Sequence, residues 1–173
     1  MNAIGRYKGP VMAKKRIELP ELPNERDFDP WVGNLDAQSA WREFGGLSID
    51  QAYSKFIENP LHYQERFMFM GGRAFVYYFP VLDRYLRDFR PRGGDFPMPD
   101  SDAACIAGSF TMHLLSPVAP AVIGILDKIS SLTAYVREHI QRLAEDPDEQ
   151  ERIDSYWQIV QTQIDDTVKR ESR

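Results

Sequence analysis

His62 is the histidine best placed to do chemistry. Glu58 lies four residues before it and Glu65 three after, so on one continuous helix the three side chains would share a face, with Arg66 one position beyond. A cluster of that kind can hold a divalent metal or run acid–base chemistry. Pro60 works against it, because a proline there starts a new helix and takes Glu58 off the shared face. His113, set among Thr111, Met112, Leu114 and Leu115, reads as a buried core histidine with a hydrogen bond. His139, between Glu138 and Ile140, reads as exposed. The only cysteine, Cys105, has Ala104, Ile106 and Ala107 around it; a small apolar filler fits those neighbours better than a nucleophile. The pairs Gly71-Gly72 before Arg73 and Gly93-Gly94 between Arg92 and Asp95 would let backbone N–H groups turn toward an anion. Neither pair has the spacing of a phosphate-binding loop, and a helix stop and a loop hinge account for them. No cofactor and no metal is expected, and the reading leans away from an enzyme.

Aromatic density is the feature that stands out. Of the 21 aromatic residues, fifteen fall between positions 31 and 96. They include Phe75, Tyr77, Tyr78 and Phe79 around Val76, a run that covers every side of a helix. Either this element is central or one of its faces docks a partner. Tyrosine and arginine are the residues that concentrate binding energy at interfaces. The expected partner-binding residues are therefore Tyr63, Arg73, Tyr77, Arg84, Arg87 and Arg90, next to a loop rich in Gly and Pro at 90–99.

The elements that must position these residues are helical. Prolines 20, 23 and 30 punctuate an irregular N-terminal arm over residues 1–34, which Leu19, Leu22, Phe28 and Trp31 would pin to a helical domain spanning 35–173. Asp36 can cap a short helix that stops at Gly45-Gly46. Ser48-Ile49-Asp50-Gln51 has the capping-box pattern, and Asn59-Pro60 starts a third helix. A fourth covers about 73–89, kinked or reset at Pro80. A fifth starts at Asp100 or Ser101 and runs to about Leu115. A sixth runs from about Val118 to Glu145, with a seam of Val122, Leu126, Ile129, Thr133, Val136, Ile140 and Leu143 at alternating spacings of four and three. Asp146-Pro147-Asp148 ends it. The last helix aligns Ile153, Tyr156, Trp157, Val160, Ile164 and Val168, which implies an antiparallel pair. The fold class is all-α: one helical bundle of about six to seven helices.

Charge and composition narrow the function. The chain has 173 residues, a formal net charge of −5 and 43% hydrophobic residues, values of an ordinary globular domain rather than a disordered chain or a disulfide-stapled one. Arg6, Lys8, Lys14, Lys15 and Arg16 make the first 17 residues basic, a pattern that reads as a solvated terminus. The first ten residues hold no apolar run, so no secretory leader is expected. The single cysteine fits a reducing compartment, and cytoplasmic localisation is the expectation. Residues 103–126 lack Asp, Glu, Lys and Arg, but Pro117 and Pro120 divide them into pieces too short to span a bilayer. Neither membrane nor nucleic acid is expected as a partner.

The motif Phe-Val-Tyr-Tyr-Phe-Pro at 75–80, after Asn-Pro-Leu-His-Tyr at 59–63, resembles small bacterial accessory and toxin-immunity proteins. The resemblance implies a bacterial protein whose partner is another protein, a toxin among the options, and it assigns no functional residue. The leading expectation is a binding protein without enzymatic activity that occludes or organises its partner. A small enzyme or ligand-binding protein with a pocket near His62, using Glu65, Arg66 and Tyr77 or Tyr78, is the first alternative. A structural homo-oligomer, dimerised through the C-terminal helix pair, is the second.

Overall fold

The structure, a computed structural model, describes residues 21–89, 102–115 and 117–172. Among these, every regular element is a helix: α1 (Glu25–Phe28), α2 (Leu35–Phe44), α3 (Ile49–Phe56), α4 (Pro60–Phe69), α5 (Gly72–Asp88), α6 (Asp102–His113), α7 (Pro120–Ile123), α8 (Leu126–Glu138), α9 (Ile140–Leu143) and α10 (Pro147–Glu171). The all-α fold is as expected. The higher count comes from three single-turn helices.

Local chemistry sets the boundaries. Ser48 and Gln51 form the reciprocal capping box, each side chain bonding the other's backbone N–H. The Asn59 side chain accepts from the His62 amide while Pro60 takes the first helical position, where its missing N–H costs nothing. The cap of α2 is Asn34 rather than Asp36. The Asn34 carboxamide oxygen accepts from the Asp36 and Ala37 amides, and Asp36 lies inside the first turn, where its charge favours the positive helix end. Within the segment expected to be irregular, residues 25–28 form a turn capped reciprocally by Asn24 and Asp27. Of the residues expected to pin it, Phe28 is fully buried, whereas Leu22 and Trp31 point outward; Leu19 lies outside the described residues.

Pro80 does not interrupt α5, which runs through it as one helix. Helical geometry explains why. At 100° per residue Pro80 falls on the side opposite Tyr78, Leu82 and Tyr85, and it is exposed while they are buried. The Val76 carbonyl that a proline cannot reach therefore lies toward water, where a long helix already bends outward.

The expected sixth helix is three. Gly124 and Ile125 separate α7 from α8, and His139 separates α8 from α9. The segments keep one phase, so Val122, Leu126, Ile129, Thr133, Val136 and Leu143 are all buried. His139 is half-buried rather than exposed, its ring stacked on Tyr135 at 4.2 Å between centroids. α10 lies antiparallel to α8, as Arg137–Asp154 at 2.8 Å near one end and Leu126 beside Ile164 and Val168 at the other require. On α10, Ile153, Trp157, Val160 and Ile164 face inward as expected; Tyr156 and Val168 do not, and Thr167 takes the buried place. α10 also packs on α6, where the Trp157 indole donates to the Ala103 carbonyl at 2.9 Å.

Aromatic rings fill the centre. Phe28, Phe44, Phe56, Phe67, Phe75, Tyr78, Phe110 and Trp157 are all fully buried. They meet edge-on: Phe44–Phe67 at 5.2 Å, Phe56–Phe67 at 5.4 Å and Phe75–Phe110 at 5.6 Å. Such pairs each add about 0.5–1.5 kcal/mol beyond the area they bury. Among the described residues, most of the aromatic rings thus belong to the core or pack against it.

Candidate protein-docking surface

The link between α1 and α2 and the first residue of α2 carry the three most exposed large apolar side chains among the described residues. Trp31 is 89% exposed, Val32 63% and Leu35 75%. A tryptophan left in water forfeits more apolar burial than any other side chain, so its position calls for a cause. The cause is a well-built turn. The Asp29 carboxylate is buried beneath it, and its Oδ2 accepts from the Gly33 amide at 2.7 Å, the Asn34 amide at 3.2 Å and the Gln38 side chain at 3.5 Å. Burial by itself would raise this carboxyl; the hydrogen bonds from Gly33, Gln38, Asn34 and Val32 outweigh it and hold the group below the usual aspartate range.

The turn is also strained. Val32 has φ 59° and Gly33 φ 108°. Glycine takes positive φ freely, but a β-branched residue there crowds its own carbonyl and costs on the order of 1–3 kcal/mol. The fold therefore accepts an unfavourable backbone to hold an apolar side chain in solvent.

Of the expected partner-binding residues on α5, Arg73 is the one placed against the base of this turn. Arg73, Tyr77, Arg84 and Arg87 fall within about 80° of one another around the α5 axis, so the helix brings them onto one stripe, with exposed Pro80 among them. Arg73 begins the stripe and pairs with Asp27 of α1 at 3.2 Å. Two residues earlier the Gly71 amide donates to the Phe28 carbonyl at 2.7 Å. A Cβ at Gly71 would meet the Asp27 carbonyl and come within 2.8 Å of Pro30. Gly71 thus lets the start of α5 seat directly against the base of the Trp31 turn. Gly72 does the same toward α7, where a Cβ would lie 2.6 Å from that of Ala119. The glycine pair is a packing device, not an anion cradle.

Farther along the stripe the arginines have intramolecular partners. Arg84 stacks over Tyr53 at 4.0 Å and pairs with Asp50 at 3.3 Å and Asp88 at 3.6 Å. Arg87 pairs with Asp83 at 3.0 Å and covers Tyr135 at 4.6 Å. Such surface pairs are each worth about 0–1 kcal/mol, so they order the guanidinium groups while leaving them at the surface. Tyr77 is half-buried against Tyr78, and burial raises its phenol. Tyr63 stands apart on α4, half-buried edge-on to Phe44 with the Lys55 ammonium 5.3 Å above it. Arg90 and the Arg92–Asp95 loop fall outside the described residues.

His62 is not joined by Glu58 or Glu65. α3 ends at Phe56 and α4 begins at Pro60, which leaves Glu58 in the link. Its carboxylate neighbour is Glu43 of α2, at 3.7 Å, which also pairs with Arg66 at 3.2 Å. Glu43 opens onto a shallow groove of about 540 Å³ that Leu47, Asp50, Ser54 and Lys55 also line. No group of three or more metal-ligating side chains occurs among the described residues. His113 is packed as expected: its Nε2 lies 2.7 Å from the Phe67 carbonyl and its ring stacks on Phe75 at 3.8 Å. Burial pushes its pKa down to about 4, against a smaller upward pull from that carbonyl, which leaves the ring neutral and donating. Among the described residues no helix is long and apolar enough to cross a membrane.

The Trp31 turn was not singled out by sequence reasoning, which placed Trp31 inward on its apolarity. The available signal was local: Asp29, Gly33 and Asn34 are the residue types of a tight turn with an Asx hydrogen bond, and a turn holds its tip outward. Comparison with protein-family models, with curated proteins and with solved structures finds no match to this chain.

Proposed function

We propose that this protein is a non-enzymatic binding protein of accessory or immunity type that docks a partner protein through the Trp31 turn and the adjoining start of the α5 stripe. One observation carries the reading: a tryptophan 89% exposed on a turn whose neighbour Val32 is held at positive φ. Strain and solvent-exposed apolar surface both oppose stability, and functional surfaces are where folds retain such costs. Tryptophan and arginine are the side chains that dominate interface energies. Trp31 would serve as the anchor, with Val32 and Leu35 beside it and Arg73 and Tyr77 extending the contact along α5. Trp31→Ser tests this, because it removes the anchor without touching the core. A stoichiometric partner that co-purifies with the natural chain should be lost with the variant while helical content and melting temperature stay the same. A partner retained at equal amount would place the interface elsewhere.

A second reading, self-association, has its own support at a different place from the expected one. The seam of α8 and α10 is consumed inside the chain. The uncovered apolar residues Met112 on α6 and Leu115 just past its end, and Tyr156 and Ile159 on α10, instead follow the two helices joined by Trp157–Ala103 and Gln163–Thr111. Solution mass decides it: a dimer through this edge reverts to monomer with Met112→Glu, whereas a wild-type monomer excludes it.

A further inference from the structure

The charges in sequence around the Trp31 turn are mainly negative. Between residues 21 and 36 there are five carboxylates and one arginine. Asp29 is buried beneath the turn, and Asp27 is answered by Arg73. Glu21, Glu25 and Asp36 are exposed, and none of them has an ion-pair partner among the described residues. The apolar tip of Trp31, Val32 and Leu35 is thus flanked by carboxylates on both sides in sequence. Interfaces pair an apolar centre with a rim of opposite sign, and like charges across a rim are strongly disfavoured.

Resting on the docking reading above, we infer that the Trp31 turn takes a basic, amphipathic segment of a partner protein, one that offers an apolar face to Trp31 and lysine or arginine to Glu25 and Asp36. An anionic lipid surface suits the turn poorly, since the same carboxylates would repel it. Trp31 also supplies the assay. Of the three tryptophans Trp157 is fully buried and Trp41 partly so, which leaves Trp31 as the source of water-exposed emission.

Titrate the full chain with a synthetic amphipathic helix of Leu and Lys, with its Leu and Glu counterpart, and with phosphatidylserine-containing vesicles, following Trp31 emission. The Leu/Lys peptide should shift the emission to the blue, saturably, and protect it from acrylamide. The Leu/Glu peptide and the vesicles should do neither. The double variant Glu25→Lys, Asp36→Lys should weaken the Leu/Lys complex roughly tenfold or more and admit the Leu/Glu peptide. Equal binding of the two peptides, or a preference for Leu/Glu or for the vesicles, overturns the inference. Silence of both peptides overturns it as well. If Trp31→Ser then still abolishes co-purification of a partner, the docking reading survives without its basic segment; if it does not, both fail.

Discussion

The Asp29 carboxylate lies 2.7 Å from the Gly33 amide, and that bond closes the turn on which Trp31 stands. Asp29 is buried, at the foot of a turn whose residues are exposed. Its hydrogen bonds hold its carboxyl below the ordinary aspartate value, so it stays ionised on folding. The stability it contributes is present above pH 3.8 and is lost as the pH falls through the lower folded value. The turn is therefore fixed from below, which is what a pre-organised contact requires.

Val32→Asn should raise stability by about 1 kcal/mol, because asparagine adopts positive φ with less crowding than a β-branched residue. Reversible urea unfolding measures it. The same substitution should weaken partner binding, since it removes an exposed apolar group beside Trp31. A loss of stability would show that Val32 is not strained.

Gly71→Ala should destabilise by about 1–3 kcal/mol, the range for forcing a methyl into occupied space. The Cβ would meet the Asp27 carbonyl and Pro30, backbone and ring that cannot turn aside. Thermal unfolding reads the loss. An unchanged melting temperature would mean that α5 does not seat against the base of the turn.

His113 makes stability depend on pH in a defined window. Its folded pKa of about 4 lies below the ordinary 6.5, so between those values the unfolded chain binds the extra proton. Stability should rise by about 3 kcal/mol from pH 4 to pH 6.5 on account of this residue. His113→Gln keeps a donor for the Phe67 carbonyl and has no proton to gain. Its unfolding free energy should be flatter than wild type across that window, and parallel curves would contradict the assignment.

Much of the fold was legible because its signals are local. Ser48 with Gln51 and Asn59 with Pro60 each carry a complete start signal within four residues, and both open helices; Asp146-Pro147, read as the end of the sixth helix, also caps and opens α10. The 4-3 seam named the buried face from Val122 to Leu143 at every position but Ile140, which is half-buried. It could not show the breaks at Gly124 and His139, because segments that keep one phase give the same pattern as a continuous helix. The candidate site was legible in part. Arg73, Tyr77, Arg84 and Arg87 share a stripe by helical spacing alone, whereas the contact of Arg73 with Asp27 spans 46 residues and is set by tertiary packing. For the same reason His62 was matched to its sequence neighbours instead of Glu43. Trp31 was misplaced because apolarity favours the interior unless the backbone forbids it, and here the Asp29 turn does.

Pro80→Ala should stabilise the chain by about 1 kcal/mol or more, since it restores the hydrogen bond to the Val76 carbonyl in an exposed helix interior. Because Pro80 lies on the stripe between Tyr77 and Arg84, partner affinity measured alongside stability shows whether the contact extends that far along α5.

Placing a photoreactive benzoylphenylalanine at position 31 in the native host tests the docking surface most directly, with the same group at exposed Gln158 on α10 as the control. One dominant cross-linked protein at position 31, absent at position 158, is the predicted result. No adduct at position 31, or the same adducts at both positions, would contradict the assignment of the Trp31 turn as the docking surface.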